Sequence, residues 1–186
     1  MPKANGSCRN CGASWVYPRK LRTLLSKVKS EEREKIDQLL HLCPKCRAQT
    51  FAEKTIASFN IPERVTFVAG DYHADPVPGV FDVAWLSHIL HADGPQACAT
   101  ILRKGAEALE AGGLLLVQEF ILNDAKDGPQ FPALFSLNML LGTPEGQSYS
   151  EGELAAMMAA AGLQDVRRLP VELPNGAGIM AGRKVG

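Results

Sequence analysis

Arg64-Val65-Thr66-Phe67-Val68-Ala69-Gly70-Asp71, then Phe81-Asp82-Val83-Ala84-Trp85-Leu86-Ser87-His88-Ile89-Leu90-His91, then Gly112-Gly113-Leu114-Leu115-Leu116-Val117 decide how this chain folds. Each of the first two runs is apolar and rich in β-formers, and each closes on a polar cluster. In a parallel α/β sheet, ligands bind outside the carboxyl ends of the strands, so chemistry is expected at Asp71 and around His91.

Working outward, short β-rich runs alternate with helical ones from Phe51 onward, the pattern of βαβ units about a parallel sheet. The reading gives a helix over Thr50 to Phe59, strands over Val65 to Ala69 and Asp82 to Leu86, and a helix from Pro95 to Leu109. A strand over Leu114 to Ile121, helices near Phe131 to Leu141 and Ser150 to Ala161, and strands near Gln164 to Pro170 and Gly178 to Arg183 complete it. Pro95 suits a first helical turn, where a missing N–H costs nothing. Gly112-Gly113 is expected to end that helix and turn the chain back into the sheet.

The first 49 residues differ in texture. They carry Cys8, Cys11, Cys43 and Cys46 in two Cys-x-x-Cys pairs, with a charged stretch between. Each pair sets two thiolates at the tip of a tight turn, and two such turns complete a tetrahedral sulfur shell for structural zinc. Iron, a redox dithiol or free thiols are the competing readings. Leu21, Leu24, Leu25 and Val28, then Ser30 before Ile36, Leu39 and Leu40, predict a helical hairpin inserted between two zinc-ribbon-like knuckles. Its basic arm, Arg19, Lys20, Arg22, Lys27 and Lys29, reads as a solvated helix face. The expected domains are therefore residues 1–49 and 50–186.

With 186 residues, 46% of them hydrophobic, the chain can bury a substantial core. Lys+Arg and Asp+Glu are both 20, so bulk charge gives no reason to expect nucleic acid or an anionic membrane as partner. Its apolar runs are too short to span a bilayer, and Met1 to Asn5 lacks a signal-peptide core. A cytoplasmic protein is expected.

Residues Ile61 to Tyr72 resemble the third strand of class I S-adenosylmethionine-dependent O-methyltransferases of the acetylserotonin and caffeate type. Phe81 to His91 resembles that family's fourth strand and histidine motif, and Leu109 to Glu119 its turn into the fifth. Gly146-Gln147-Ser148-Tyr149-Ser150 and Ala160-Ala161-Gly162-Leu163 continue the likeness, which covers about residues 51 to 186. The resemblance implies an incomplete Rossmann-like α/β sheet with flanking helices. It also implies that Asp71 and Tyr72 hold the adenine of S-adenosylmethionine, with Ser87 near the cofactor. His91 would be the general base that deprotonates a small-molecule hydroxyl acceptor, Glu119 would orient it, and Met139 would fall in the stretch lining the acceptor pocket. Tyr72 and His91 should then face one hollow.

Ala92 replaces the aspartate that follows the histidine in the family, and Ser148 stands near a second glutamate of plant-type members. No G-x-G precedes Phe51, so the glycine-rich loop and the two strands about it have no counterpart upstream. The third and fourth strands must then pair directly, gape, or be bridged by a second copy or completing subunit, and cofactor binding by the isolated chain should be weak. The alternative function is a non-catalytic zinc-binding regulatory or partner-binding module on a methyltransferase-like scaffold. Read singly, His91 is a carbonyl-satisfied histidine, Asp71 a turn cap, His73 a loop residue, Trp15, Trp85 and Met139 core, and Cys98 a buried small hydrophobe.

Overall fold

The computed structural model describes residues 5–7, 14–16, 53–58, 65–68 and 70–186, the first two stretches as backbone. The chain divides into two compact units, Met1–Gly70 and Asp71–Gly186. In the first, β1 (Asn5–Ser7) pairs antiparallel with β2 (Ser14–Val16), Gly6 opposite Trp15. Residues 53–58 form a helix, α1, inside the span expected for it. The strand expected over Val65 to Ala69 is not one: residues 65–68 join no ladder, and Val65, Phe67 and Val68 are exposed. High β-propensity makes a strand only where a neighbour satisfies its N–H and C=O groups. All four paired cysteines, the helical hairpin between them and the expected boundary near residue 49 lie outside the described residues.

The second unit is a four-stranded sheet with helices around it, the α/β class expected. In order along the chain come β3 (Phe81–Ser87), α2 (Pro95–Glu107), β4 (Leu109–Phe120), α3 (Gln130–Gly142), α4 (Glu151–Ala160), β5 (Leu163–Arg168) and β6 (Ala177–Lys184). The sheet order is β3-β4-β6-β5. A crossover through α2 is long enough to bring β4 parallel to β3, whereas only residues 169–176 join β5 to β6, which pair antiparallel. β6 is antiparallel to β4 as well, so the sheet is mixed and not parallel throughout.

Gly112-Gly113 does not end α2. That helix stops at Ala108, and the glycines lie within β4, where pairing jumps from Phe81↔Leu109 to Val83↔Leu114. The extra residues bulge out, and Gly112 adopts φ +79°, a left-handed backbone that side-chain-bearing residues rarely take. The sequence signal for a glycine turn was real; the turn it serves is a bulge.

β4 organises the core because its side chains alternate. Leu115, Val117, Glu119 and Ile121 are buried on one face, while Leu114, Leu116, Gln118 and Phe120 are half-buried on the other. Against the first face pack Ile101 and Leu102 of α2, Leu154 and Met158 of α4, and Met180 of β6. Truncating such a leucine to alanine costs roughly 2–5 kcal/mol. β3 is the sheet margin among the described residues, and Trp85, expected in the core, is 54% exposed there. No helix among the described residues is long and apolar enough to cross a membrane.

α4 starts at a capping box. Ser150 Oγ accepts from the Glu153 N–H at 3.2 Å, and Glu153 Oε2 accepts from the Ser150 N–H at 2.8 Å. Burial works to raise the Glu153 carboxyl, but the Lys126 ammonium at 2.6 Å and the Ser150 bonds outweigh it and hold the group below its ordinary range. Stability from a depressed carboxylate is present above its unfolded pKa and is lost as pH falls through the folded one. Ser150→Ala should therefore lower the unfolding free energy by about 1 kcal/mol in urea titrations at neutral pH. Glu153→Gln should flatten part of the acid-side loss of stability.

Candidate functional site

The carboxyl ends of β3 and β4 carry the site. β4 delivers Glu119, 2% exposed, from the core face of the sheet, where its position in the alternation would ordinarily hold an aliphatic residue. A carboxylate buried there must be fully engaged. Oε1 accepts the Leu90 N–H at 2.9 Å, and Oε2 lies 2.7 Å from His91 Nδ1. An ionised carboxylate only accepts, so the His91 proton sits on Nδ1 and the Nε2 lone pair is left open.

What aims His91 is the turn after β3. His88 takes φ +52°, a left-handed conformation uncommon for a side-chain-bearing residue, and its N–H donates to Gln118 O at 2.9 Å. That reversal leads into a single 3-10 turn, Leu90–Ala92, and brings His88 and His91 to the same carboxylate, His88 Nδ1 lying 3.7 Å from Glu119 Oε2. Gly146 packs against this turn: a Cβ there would stand 2.5 Å from the His91 carbonyl oxygen, so only glycine fits without moving it.

An aromatic wall adjoins the histidines. Phe135 of α3 meets the His91 ring edge-on at 4.8 Å, Phe120 lies 4.6 Å from His88, and Phe120 and Phe135 are 4.7 Å apart. Phe131, one helical turn before Phe135, completes the group at 4.9 Å from Phe120. The apolar, edge-to-face cluster so formed suits an aromatic ring held beside an imidazole.

Asp71 and Tyr72 lie in the turn before β3. Asp71 Oδ1 accepts the His73 N–H at 2.9 Å, and that bond, opposed by slight burial, holds its carboxyl below the usual value. Asp71 does cap its turn, as the plain reading had it, and His73 is a turn residue. Burial raises the Tyr72 phenol, and the nearby Asp93 and Asp71 charges add to the rise. His73 Nε2 lies 3.4 Å from Asp93 Oδ1, and the buried Asp93 Oδ2 has no hydrogen-bond partner. Tyr72 thus adjoins Asp93, two residues beyond His91.

The remaining expected residues are dispersed. Ser87 is exposed, its Oγ donating to Gln118 Oε1 at 3.4 Å, and Met139 is half-buried in α3. Ser148 is buried and donates to Pro132 O at 3.1 Å, a packing role. Cys98 is fully buried as expected; burial pushes its thiol up to about 11, with the Asp93 and Glu119 charges adding against the Tyr149 bond. A hollow of about 570 Å³ at Arg168 to Ala177 contains none of the expected site residues.

His88, Asp93 and the three phenylalanines were not singled out from sequence. His88-x-x-His91 and Phe131-x-x-x-Phe135 stand in the sequence as spacings, but only the folded contacts, the left-handed turn at His88 among them, bring them together. Glu119→Ala strands the Leu90 and His91 N–H groups, whereas Glu119→Gln keeps an acceptor for one of them. The alanine variant should be the less stable of the two by about 1–3 kcal/mol in denaturant titrations.

Comparisons with known proteins identify the fold and the family. A family model described as an O-methyltransferase domain matches residues 46–164. The chain is 35% identical over 146 residues to a 3-hydroxy-5-methyl-1-naphthoate 3-O-methyltransferase of Streptomyces sahachiroi, covering 78% of this chain and 40% of the relative. The solved structure of PigF with SAH superposes with a TM-score of 0.68 at 33% identity, covering 74% of this chain and 41% of PigF. An O-methyltransferase family 2 protein of Planctomyces limnophilus in complex with apigenin gives 0.68 at 30% identity, with coverage of 75% and 40%. The chain therefore spans about two fifths of the length of the relatives it matches.

Proposed function

Because the chain belongs to the O-methyltransferase domain family, we propose that it takes part in S-adenosylmethionine-dependent methylation of a hydroxyl on a small aromatic molecule, with His91 as general base. The observation that carries this reading is the His91 Nδ1 to Glu119 Oε2 bond of 2.7 Å beside the Phe120, Phe131 and Phe135 rings. Relatives named for naphthoate methylation and solved with SAH or with apigenin support the cofactor and the aromatic acceptor.

The residues present fit one end of the cofactor. Asp71 is exposed and held ionised, Tyr72 offers a half-exposed ring, and the orphaned Asp93 Oδ2 is an acceptor in want of a donor such as an exocyclic amine. These three would hold the adenine, with Ser87 at the neighbouring strand end. When bound, the cofactor supplies an electrophilic methyl group on a sulfonium. Glu119 accepts from His91 Nδ1–H and fixes the ring so that Nε2 takes the acceptor's hydroxyl proton, and the buried carboxylate then stabilises the imidazolium. The phenylalanine rings position the acceptor and exclude water.

No glycine-rich G-x-G stands before Phe51 to cradle the rest of the cofactor. A second copy or a completing subunit is the proposed source of that part, and β3, the sheet margin among the described residues, is where it would join. Calorimetry of the full chain with S-adenosylhomocysteine tests the reading, and silence at millimolar ligand in a folded sample overturns it. His91→Gln should leave that binding intact while lowering turnover of a phenolic acceptor by roughly 10²–10⁴-fold.

We propose a second, structural role for residues 1–49 as a four-cysteine zinc segment within a 1–49 and 50–186 organisation. The β1–β2 hairpin, whose strands flank the segment containing Cys8 and Cys11 in sequence, supports a metal knuckle. Purified chain should contain zinc with four thiols that become titratable only on chelation; metal-free protein with all thiols reactive would refute it.

A further inference from the structure

We infer that His88, His91 and Glu119 form a site for a zinc-class divalent transition ion, and that its occupancy disables the His91 base. The effect on catalysis rests on the reading of His91 above; the binding does not. One nitrogen of each imidazole and a Glu119 oxygen all lie within 4.8 Å of one another. Two imidazoles and a carboxylate are a ligand set that zinc takes, as do other divalent first-row ions.

Three features go beyond proximity. His88 Nδ1 is buried without a hydrogen-bond partner although it stands 3.7 Å from Glu119 Oε2, too long for a hydrogen bond. A ligand nitrogen facing a buried carboxylate across that gap lacks only the ion between them. His88 is brought to this position by a left-handed φ of +52°, the reversal that also sets His91 on the same carboxylate. And His88 Nε2 lies 3.2 Å from the Gln118 side-chain amide. A half-turn of that amide makes its oxygen the acceptor for Nε2–H, the outer contact that metal-bound histidines ordinarily have.

Binding would gather the three side chains around one ion. Zinc sits about 2.0–2.2 Å from nitrogen and oxygen ligands, which places ligand atoms roughly 3.4 Å apart in a tetrahedron. The two histidine-to-Glu119 separations, 2.7 and 3.7 Å, bracket that value, and the trio as a whole, spread within 4.8 Å, must draw together around the ion. On binding, the ion takes the place of the proton on His91 Nδ1, and that proton passes through solvent to Nε2. The neutral imidazole then presents N–H, not a lone pair, to the acceptor hydroxyl, so the ion and the substrate proton compete for the same ring.

Co(II) is titrated into the metal-stripped full chain. Cobalt on thiolates shows near-ultraviolet charge transfer, so an equivalent that adds visible d–d bands without it belongs to nitrogen and oxygen ligands. One such equivalent is expected, displaced by zinc, and weakened at least about 10-fold in His88→Gln. Zinc added to the unsubstituted chain should also shift the imidazole nitrogen resonances of two histidines, a readout that needs no variant to fold. A His88→Gln chain that titrates like the original, or imidazole nitrogens unmoved at millimolar zinc, overturns the inference. Neither readout involves methyl transfer, so failure here leaves the base assignment standing, and failure of the base assignment leaves the metal site standing.

Discussion

A single buried carboxylate, Glu119, organises everything at the carboxyl ends of β3 and β4. Removing an ionised group from water costs several kcal/mol, and the cost is tolerable only when each oxygen has a donor. Leu90 N–H and His91 Nδ1–H are those donors, both from the turn that follows β3. The electrostatic need of β4 therefore dictates the path of a neighbouring strand's exit loop. Register supplies the rest: Ser87 opposes Gln118, so the turn begins level with Glu119.

The core makes the arrangement rigid. Leu90 is fully buried beside Cys98, whose thiol donates to the Leu90 carbonyl at 3.2 Å, and Tyr149 donates to the Asp93 carbonyl at 2.6 Å. The turn is thus held from β4 by a carboxylate, from α2 by a thiol and from the segment before α4 by a phenol. Such bracing by hydrogen-bonded neighbours is what keeps a catalytic side chain within the small tolerance its chemistry allows.

Much of this was legible in the sequence because it depends on local pattern. Pro95 at a helix start and the apolar run from Leu114 carry their own physical signatures: α2 begins at Pro95, and β4 contains the run but starts earlier, at Leu109. His91 and Glu119 were legible through motif resemblance, and the structure brings them to bonding distance. What failed was nonlocal. Val65 to Val68 have strand composition but no ladder, Gly112-Gly113 marks a bulge and not a helix stop, and the antiparallel turn into β6 follows from connection length. Trp85 lies exposed because nothing in composition tells a strand in the middle of a sheet from one at its margin.

The left-handed backbone at His88 narrows what evolution and engineering can do there. Valine, isoleucine or threonine would meet severe crowding of Cβ against the carbonyl, while glycine, asparagine and aspartate enter that region readily. Among residues at ease in that conformation, histidine alone brings an imidazole. A library randomised at this codon would accordingly return two separable classes, survivors that keep the shape and survivors that keep the nitrogen, and only the parental residue belongs to both.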